Sequence, residues 1–306
     1  MSKQKEREKV RIRKKQQRSR QLVTGGIVLI LIAGLLFLFL RRGSDNSSAG
    51  AISHLTTRDF HSLAFSPMEA ETIFFGHHNG LLVSYNGGKD WQSTSLENTD
   101  AMALALPLSN SDIMYAAGHD VFFKSTDGGK TWNAVTTNLP SLDIHGFTVD
   151  PENAERAYAH VVGFGIFGSE DGGSTWSQLS DSAPPSTFNL AMGESSDSLY
   201  AAAGGAGLWH SLDGGRSWSL VENIPDTGAD AVVYVRANKR LLVTTTGNSA
   251  GLYVSDDNGQ SWKATGMKGI FVAIAGSPLD PNHIVVVSDQ GDVFASRDSG
   301  LTLSDK

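Results

Sequence analysis

The sequence predicts an all-β chain: a six-bladed β-propeller of four-stranded antiparallel blades, preceded by one N-terminal transmembrane helix. Three observations carry this. An octet related to Ser-x-Asp-x-Gly-x-Thr-Trp recurs six times at a nearly constant interval. Short β-rich runs bounded by Gly, Pro, Asp and Asn fill each interval, with no helical period after Leu40. Ahead of the first unit, a basic segment runs into a long uncharged apolar stretch.

The N-terminal part comes first in order. Residues 1–42 carry 12 Lys and Arg against 2 Glu, whereas 43–306 carry 13 basic and 30 acidic residues, a net of −17. The stretch Leu22 to Leu40 is free of charge. At about 1.5 Å per helical residue it spans roughly 28 Å, the thickness of a bilayer's hydrocarbon core. Ten basic residues precede it and two follow, so the positive-inside rule keeps the N-terminus in the cytoplasm and exports the rest. The alternative is a cleaved signal peptide with Ser47–Ala51 as its small-residue site. Cleavable apolar regions run to about 7–15 residues, shorter than this one. The expected organisation is a basic cytoplasmic segment over 1–21, a transmembrane helix over 22–40, a small polar tether over 41–50 and the propeller over 51–306. Localisation follows: single-pass in the cell membrane, with the propeller extracytoplasmic. Beside a span, the basic run reads as topology and contact with anionic lipid. The acidic exported part excludes nucleic acid as a partner. Absence of Cys excludes disulfides and thiolate chemistry.

The repeat comes next. The octet occurs as SYNGGKDW (84–91), STDGGKTW (125–132), SEDGGSTW (169–176), SLDGGRSW (211–218), SDDNGQSW (255–262) and SRDSGLTL (296–303). Its last positions, Trp91, Trp132, Trp176, Trp218, Trp262 and Leu303, are 41, 44, 42, 44 and 41 residues apart. In the third unit, 145–149 reads as a strand, 150–155 as a turn, and 156–162, 165–169 and 174–179 as further strands. Four strands per unit, six times over, make six blades. An open ring would expose sheet edges. Residues 51–57 are therefore expected to pair with, or replace, the outer strand of the last blade.

The octet itself reads as architecture. Glycine supplies positive φ in a tight turn between the third and fourth strands. The carboxylates of Asp127, Asp171, Asp213, Asp257 and Asp298, and the amide of Asn86, accept hydrogen bonds from the turn's own N–H groups. The Trp offers a large apolar face between blades. A calcium loop in SDDNGQSW fails because Val254 stands where the first ligand would be.

Chemistry is expected at the opposite face, around the channel mouth, where blade-to-blade connections and second-to-third hairpins gather. Counting back from each octet, the start of the inner strand carries Asp59, Asp100, Asp143, Ser186 or Thr187, Asp230 and Ile270. His61 and His145 follow two residues after Asp59 and Asp143. The hairpins of the first two blades add His77, His78 and His119. Turn-capping aspartates and satisfied polar histidines are the bland account. A divalent cation held by imidazole and carboxylate is the second. Catalysis by Asp59, Asp100, Asp143 or Asp230 as acid and base is the third.

The octet resembles the Asp-box, or BNR, repeat of sialidases, other glycoside hydrolases, sortilin-like receptors and photosystem II assembly factors. The likeness covers nearly all of 51–306 and implies the propeller, not a function. HSLA (61–64) and GHHNGLL (76–82) are similar to segments of exported Asp-box proteins, a resemblance that supplies no reaction. The resemblance to sialidases implies an arginine triad, a Tyr nucleophile backed by Glu, and an Asp. Here the chain departs. After the apolar span its arginines are Arg58, Arg156, Arg216, Arg236, Arg240 and Arg297, and only Arg58 is placed near the mouth. No Walker loop, dinucleotide fingerprint, His-Glu-x-x-His or Gly-x-Ser-x-Gly occurs.

The functional expectation is a membrane-anchored propeller that binds or scaffolds an extracytoplasmic protein or carbohydrate at the channel mouth. The alternative is a glycoside hydrolase of the Asp-box type, not a typical sialidase, using mouth carboxylates. A wide cleft with aromatic platforms would favour the enzyme; a narrow mouth would favour the binding module.

Overall fold

The computed structural model describes residues 50–303, except Arg58 and residues 182–183. The basic segment and the apolar stretch 22–40 lie outside the described residues. Among the described residues no helix is long and apolar enough to cross a membrane.

Six four-stranded antiparallel sheets stand around a central axis. The first blade is β2 (Ser62–Phe65), β3 (Ile73–His77), β4 (Gly80–Ser84) and β5 (Gln92–Glu97). The second is β6 (Ala103–Ala105), β7 (Met114–Gly118), β8 (Val121–Ser125) and β9 (Asn133–Ala134). The third is β10 (Ile144–Asp150), β11 (Asn153–Val161), β12 (Gly165–Ser169) and β13 (Ser177–Ser180). Two further blades follow the same order, with inner strands β14 (Asn189–Met192) and β18 (Ala231–Val235). Each inner strand packs beside its counterparts in the adjoining blades.

The sixth blade has the order β22 (Phe271–Gly276), β23 (Ile284–Ser288), β24 (Asp292–Ser296) and then β1 (Ser53–His54). Ser53 pairs with Val293 and His54 with Asp292, so the first strand of the propeller is the outer strand of the last blade. His54 Nδ1 also lies 2.9 Å from Asp292 Oδ1. The ring is closed by the first and last strands of the propeller, as the need to cover that edge requires.

Strand limits differ locally from the periodic pattern. In the third blade β11 starts at Asn153, because Asp150 pairs with Asn153 through a register shift. The six-residue turn expected over 150–155 is therefore reduced to Pro151 and Glu152. The outer strands β5, β9 and β13 begin directly after Trp91, Trp132 and Trp176.

The octets act locally. In the third, Ser169 Oγ donates to Asp171 Oδ1 and accepts from the Gly173 N–H. Asp171 accepts from the Thr175 N–H and hydroxyl, and Trp176 Nε1 donates to the Gly173 carbonyl. The same set recurs at Asp127, Asp213, Asp257 and Asp298, apart from the Trp bond at the last two. In the first octet Asn86 Oδ1 accepts from the Asp90 N–H, and its amide donates to the Asp90 carboxylate. Donor and acceptor have changed places, and the turn is kept. Asn258 and Ser299 take the glycine position at φ of 59° and 63°. Trp176 packs against Phe122 of the second blade and Phe147 of its own, so the octet Trp cements neighbouring blades.

Candidate functional site

The hairpins between second and third strands, and the connections entering the inner strands, meet at one end of the propeller. His78 and His119 occupy the first position of two-residue turns, since His77 pairs with Gly80 and Gly118 with Val121. The incoming connection crosses these hairpins at van der Waals distance. A Cβ at Gly76 would run into the Ala101 carbonyl, and one at Gly118 into the Asp100 carbonyl. Glycine ahead of each histidine is what lets Asp100 reach both hairpins.

The result is an arc over three consecutive blades. His78 Nδ1 lies 3.2 Å from Asp59 Oδ2, and its Nε2 lies 3.7 Å from Asp100 Oδ1. His119 Nδ1 meets Asp100 Oδ2 at 2.5 Å. Across the next blade boundary His119 Nε2 is 3.0 Å from His145 Nε2 and 3.5 Å from Asp143 Oδ1. His145 Nε2 is 3.0 Å from Asp143 Oδ1. His61 stacks on His78 with ring centroids 4.5 Å apart. Asp100 is the pivot, its side chain only 17% exposed while His78 and His119 stand 45% and 44% exposed.

Burial disfavours the charged imidazole. It holds His61 at about 4, helped by the neighbouring His78 and opposed by Asp100 and Asp59. Burial also lowers His145, with Asp143 opposing and His119 adding to the shift. Both shifts favour the neutral ring, which keeps one nitrogen lone pair as an acceptor. Two polar atoms of the arc, His61 Nε2 and Asp100 Oδ1, are buried without a hydrogen bond. Two groups have the atoms to hold a metal ion: His61 with His78 and Asp100, and His119 with Asp143 and His145.

Two of the residues singled out in the sequence stand apart. His77 is buried, accepts from the Asn79 N–H and lies parallel to Phe75, so it braces the hairpin instead of facing the arc. Asp230 is half-buried in the fifth blade. Burial first, then the charge of Asp289, pushes its carboxyl up. Asp289 begins the β23–β24 hairpin, and applying the hairpin count to the sixth blade would have found it. Phe188 was also missed. It is 48% exposed and stacks on His145 at 6.1 Å, in an entry loop where, as in that of Ile270, neither Asp nor His marks the position.

Below His61 the channel narrows to a cavity of about 30 Å³, room for one water and no sugar. Beside the arc, His145, His160, Phe188 and Pro184 border a cleft of about 370 Å³. At the far end the channel opens to about 540 Å³, walled by all six inner strands, with Arg236 and Glu152 paired there at 3.4 Å.

Fold and repeat together define a BNR/Asp-box β-propeller. A BNR/Asp-box repeat model matches residues 253–264, and the model of sortilin, neurotensin receptor 3 (Sortilin-Vps10) matches 120–247. No curated protein sequence matches significantly. Among solved structures, the GH74 xyloglucanase from Xanthomonas campestris is 18% identical with a TM-score of 0.56, over 78% of this chain and 45% of that one. The Niastella koreensis GH74 enzyme is 20% identical with a TM-score of 0.62, over 84% and 46%. A YCF48 structure bound to D1 peptide is 18% identical with a TM-score of 0.54, over 82% and 83%. The chain therefore spans less than half the length of these GH74 enzymes, and at such identities the likeness is one of fold.

Proposed function

We propose that the chain is a binding or scaffolding propeller that engages an extracytoplasmic protein partner through the hairpin-end arc. The apolar stretch 22–40 is proposed as its membrane anchor, on the strength of its length and of the basic residues before it. The observation that carries the binding reading is convergence. Four imidazoles and three carboxylates from three consecutive blades meet at one surface, and none of them belongs to an octet or to the ring closure. The narrow channel beneath favours an occupant that stays on the surface. The neighbouring cleft, with Phe188 as its apolar wall, has room for a side chain of a partner. That a YCF48 propeller of the same fold was solved with a peptide bound supports this class of ligand.

A photo-crosslinking phenylalanine analogue at Phe188, compared with one at Leu212 on an octet hairpin, tests the reading in producing cells. A discrete adduct from position 188 and none from 212 is the expected result. Equal adducts from both positions, or none from 188, overturns it.

A second reading, glycoside hydrolysis, is favoured by two carboxyl groups facing each other at Asp230 and Asp289, with the first pushed up by burial and by its neighbour. The GH74 neighbours make xyloglucan the first polymer to try. Release of reducing ends that disappears in Asp230→Asn would support it, and no release retires it.

A further inference from the structure

We infer that His119, His145 and Asp143 form a divalent transition-metal site of the zinc class, with Asp100 holding His119 in place and a fourth position open to a ligand. The inference rests on the arc being the working surface and adds what would hold the partner there.

The argument begins with the three atoms that face one another. His119 Nε2, His145 Nε2 and Asp143 Oδ1 are separated by 3.0, 3.0 and 3.5 Å. A triangle with these edges has a circumradius of about 1.9 Å, just under the ~2.0–2.1 Å bond of Zn²⁺ to imidazole or carboxylate. One ion can therefore sit slightly off the plane of the three atoms at ordinary bond lengths. Its fourth tetrahedral direction then points away from them.

The second observation is the pattern around the ligands. His119 Nδ1 meets Asp100, which makes Nδ1–H the donor and leaves Nε2 with a lone pair towards the site. This carboxylate–histidine relation is how metal-binding imidazoles are commonly oriented. The same relation recurs one blade earlier, where His78 Nδ1 faces Asp59.

The third is unmet polarity. Without an ion, His145 Nε2 has one proton to offer and two acceptors at 3.0 Å, His119 Nε2 and Asp143 Oδ1, so one of the two is left unserved. A cation at the triangle accepts a lone pair from all three atoms at once. Two imidazoles and one carboxylate suit Zn²⁺, and by the Irving–Williams order also Cu²⁺ or Ni²⁺, over Mg²⁺ or Ca²⁺.

The test uses the full chain, purified without a polyhistidine tag and stripped with chelator, then titrated with Co²⁺ and Zn²⁺. The expected result is one equivalent of Co²⁺ per chain with the intense visible bands of a four-coordinate ion, displaced by Zn²⁺. Asp143→Asn and His145→Gln should abolish those bands, and Asp100→Asn should weaken Zn²⁺ binding about 10–100-fold. His210→Gln, at a histidine in the fourth blade, should change nothing. Should Asp143→Asn fail to fold, the wild-type spectrum and its loss on adding chelator still decide. No four-coordinate spectrum from the wild-type chain, or binding unaltered by Asp143→Asn in a folded protein, overturns the inference. Metal bound without an adduct at position 188 sinks the partner reading and leaves this one standing; an adduct without metal does the reverse.

Discussion

Asp100 and His119 stand nineteen residues apart and meet through Oδ2 and Nδ1. Asp59 and His78 are separated by the same nineteen residues and face each other in the blade before. The repeat thus carries a paired carboxylate and imidazole in two successive units, joined by Asp100 Oδ1 facing His78 Nε2.

If Asp100 sets the tautomer of His119, nitrogen NMR of the imidazoles will show His119 as the Nδ1–H form. In Asp100→Asn the amide can donate as well as accept, and the ring should lose that fixed state. An unchanged His119 signal in the variant would show that Asp100 does not orient it.

Gly118→Ala places a methyl against the Asp100 carbonyl. Backbone must move to admit it, at a cost of about 1–3 kcal/mol. Chemical denaturation should show that loss together with a changed His119 environment. Stability equal to wild type would mean the connection can rise without penalty.

Trp176 is 6% exposed between the second and third blades. Trp176→Ala should cost about 3–5 kcal/mol, the range for a large core aromatic. At the polar end of the same octet, Asp171→Asn should be milder than Asp171→Ala, because the first octet already works with Asn86. The ranking of the three by thermal melting checks the assignment, and Asn ranking below Ala would contradict it.

Acid stability should fall in two stages. His283 is fully buried, and burial, with Arg297 close by, holds its imidazole at about 4, against the opposing charges of Glu71 and Asp280. In the unfolded chain the ring gains its proton below about 6.5. Its stabilising contribution is therefore complete above that pH and is lost as pH falls towards 4, on the order of 3 kcal/mol in all. The octet carboxylates of Asp127, Asp213 and Asp257 are held at about 2, first by the hydroxyls of Thr131, Ser217 and Ser261. Their contribution is present above about 4 and goes as pH drops towards 2. His283→Asn should flatten the upper stage by about one proton and leave the lower one; an unaltered slope between pH 6.5 and 4 would assign that stage elsewhere.

The octet was legible because its chemistry is local: a serine, an aspartate, a glycine and a tryptophan bond within eight residues and repeat visibly. Numbering the blades then placed Asp59, Asp100 and Asp143 with His61, His78, His119 and His145 at one end, where the structure brings them together. The count could not separate His77 from His78. They are adjacent in sequence, yet one closes a strand pair inward and the other begins the turn. Nor could it show that Asp230, at an equivalent position, lacks a hairpin histidine and faces Asp289 instead. Phe188 escaped because its entry loop follows Pro184 and Pro185 and breaks the pattern of its neighbours.

The pairing of Ser53 with Val293 also sets an order of synthesis. The outer strand of the sixth blade is made first and must wait for about 240 further residues before its partner exists. Until the last octet has been translated, five blades can fold along the chain but the cylinder stays unlocked. A prematurely terminated product keeps an unpaired segment at one end and an incomplete sheet at the other, surfaces that invite aggregation and proteolysis. Closure thereby reports that all six blades have been made.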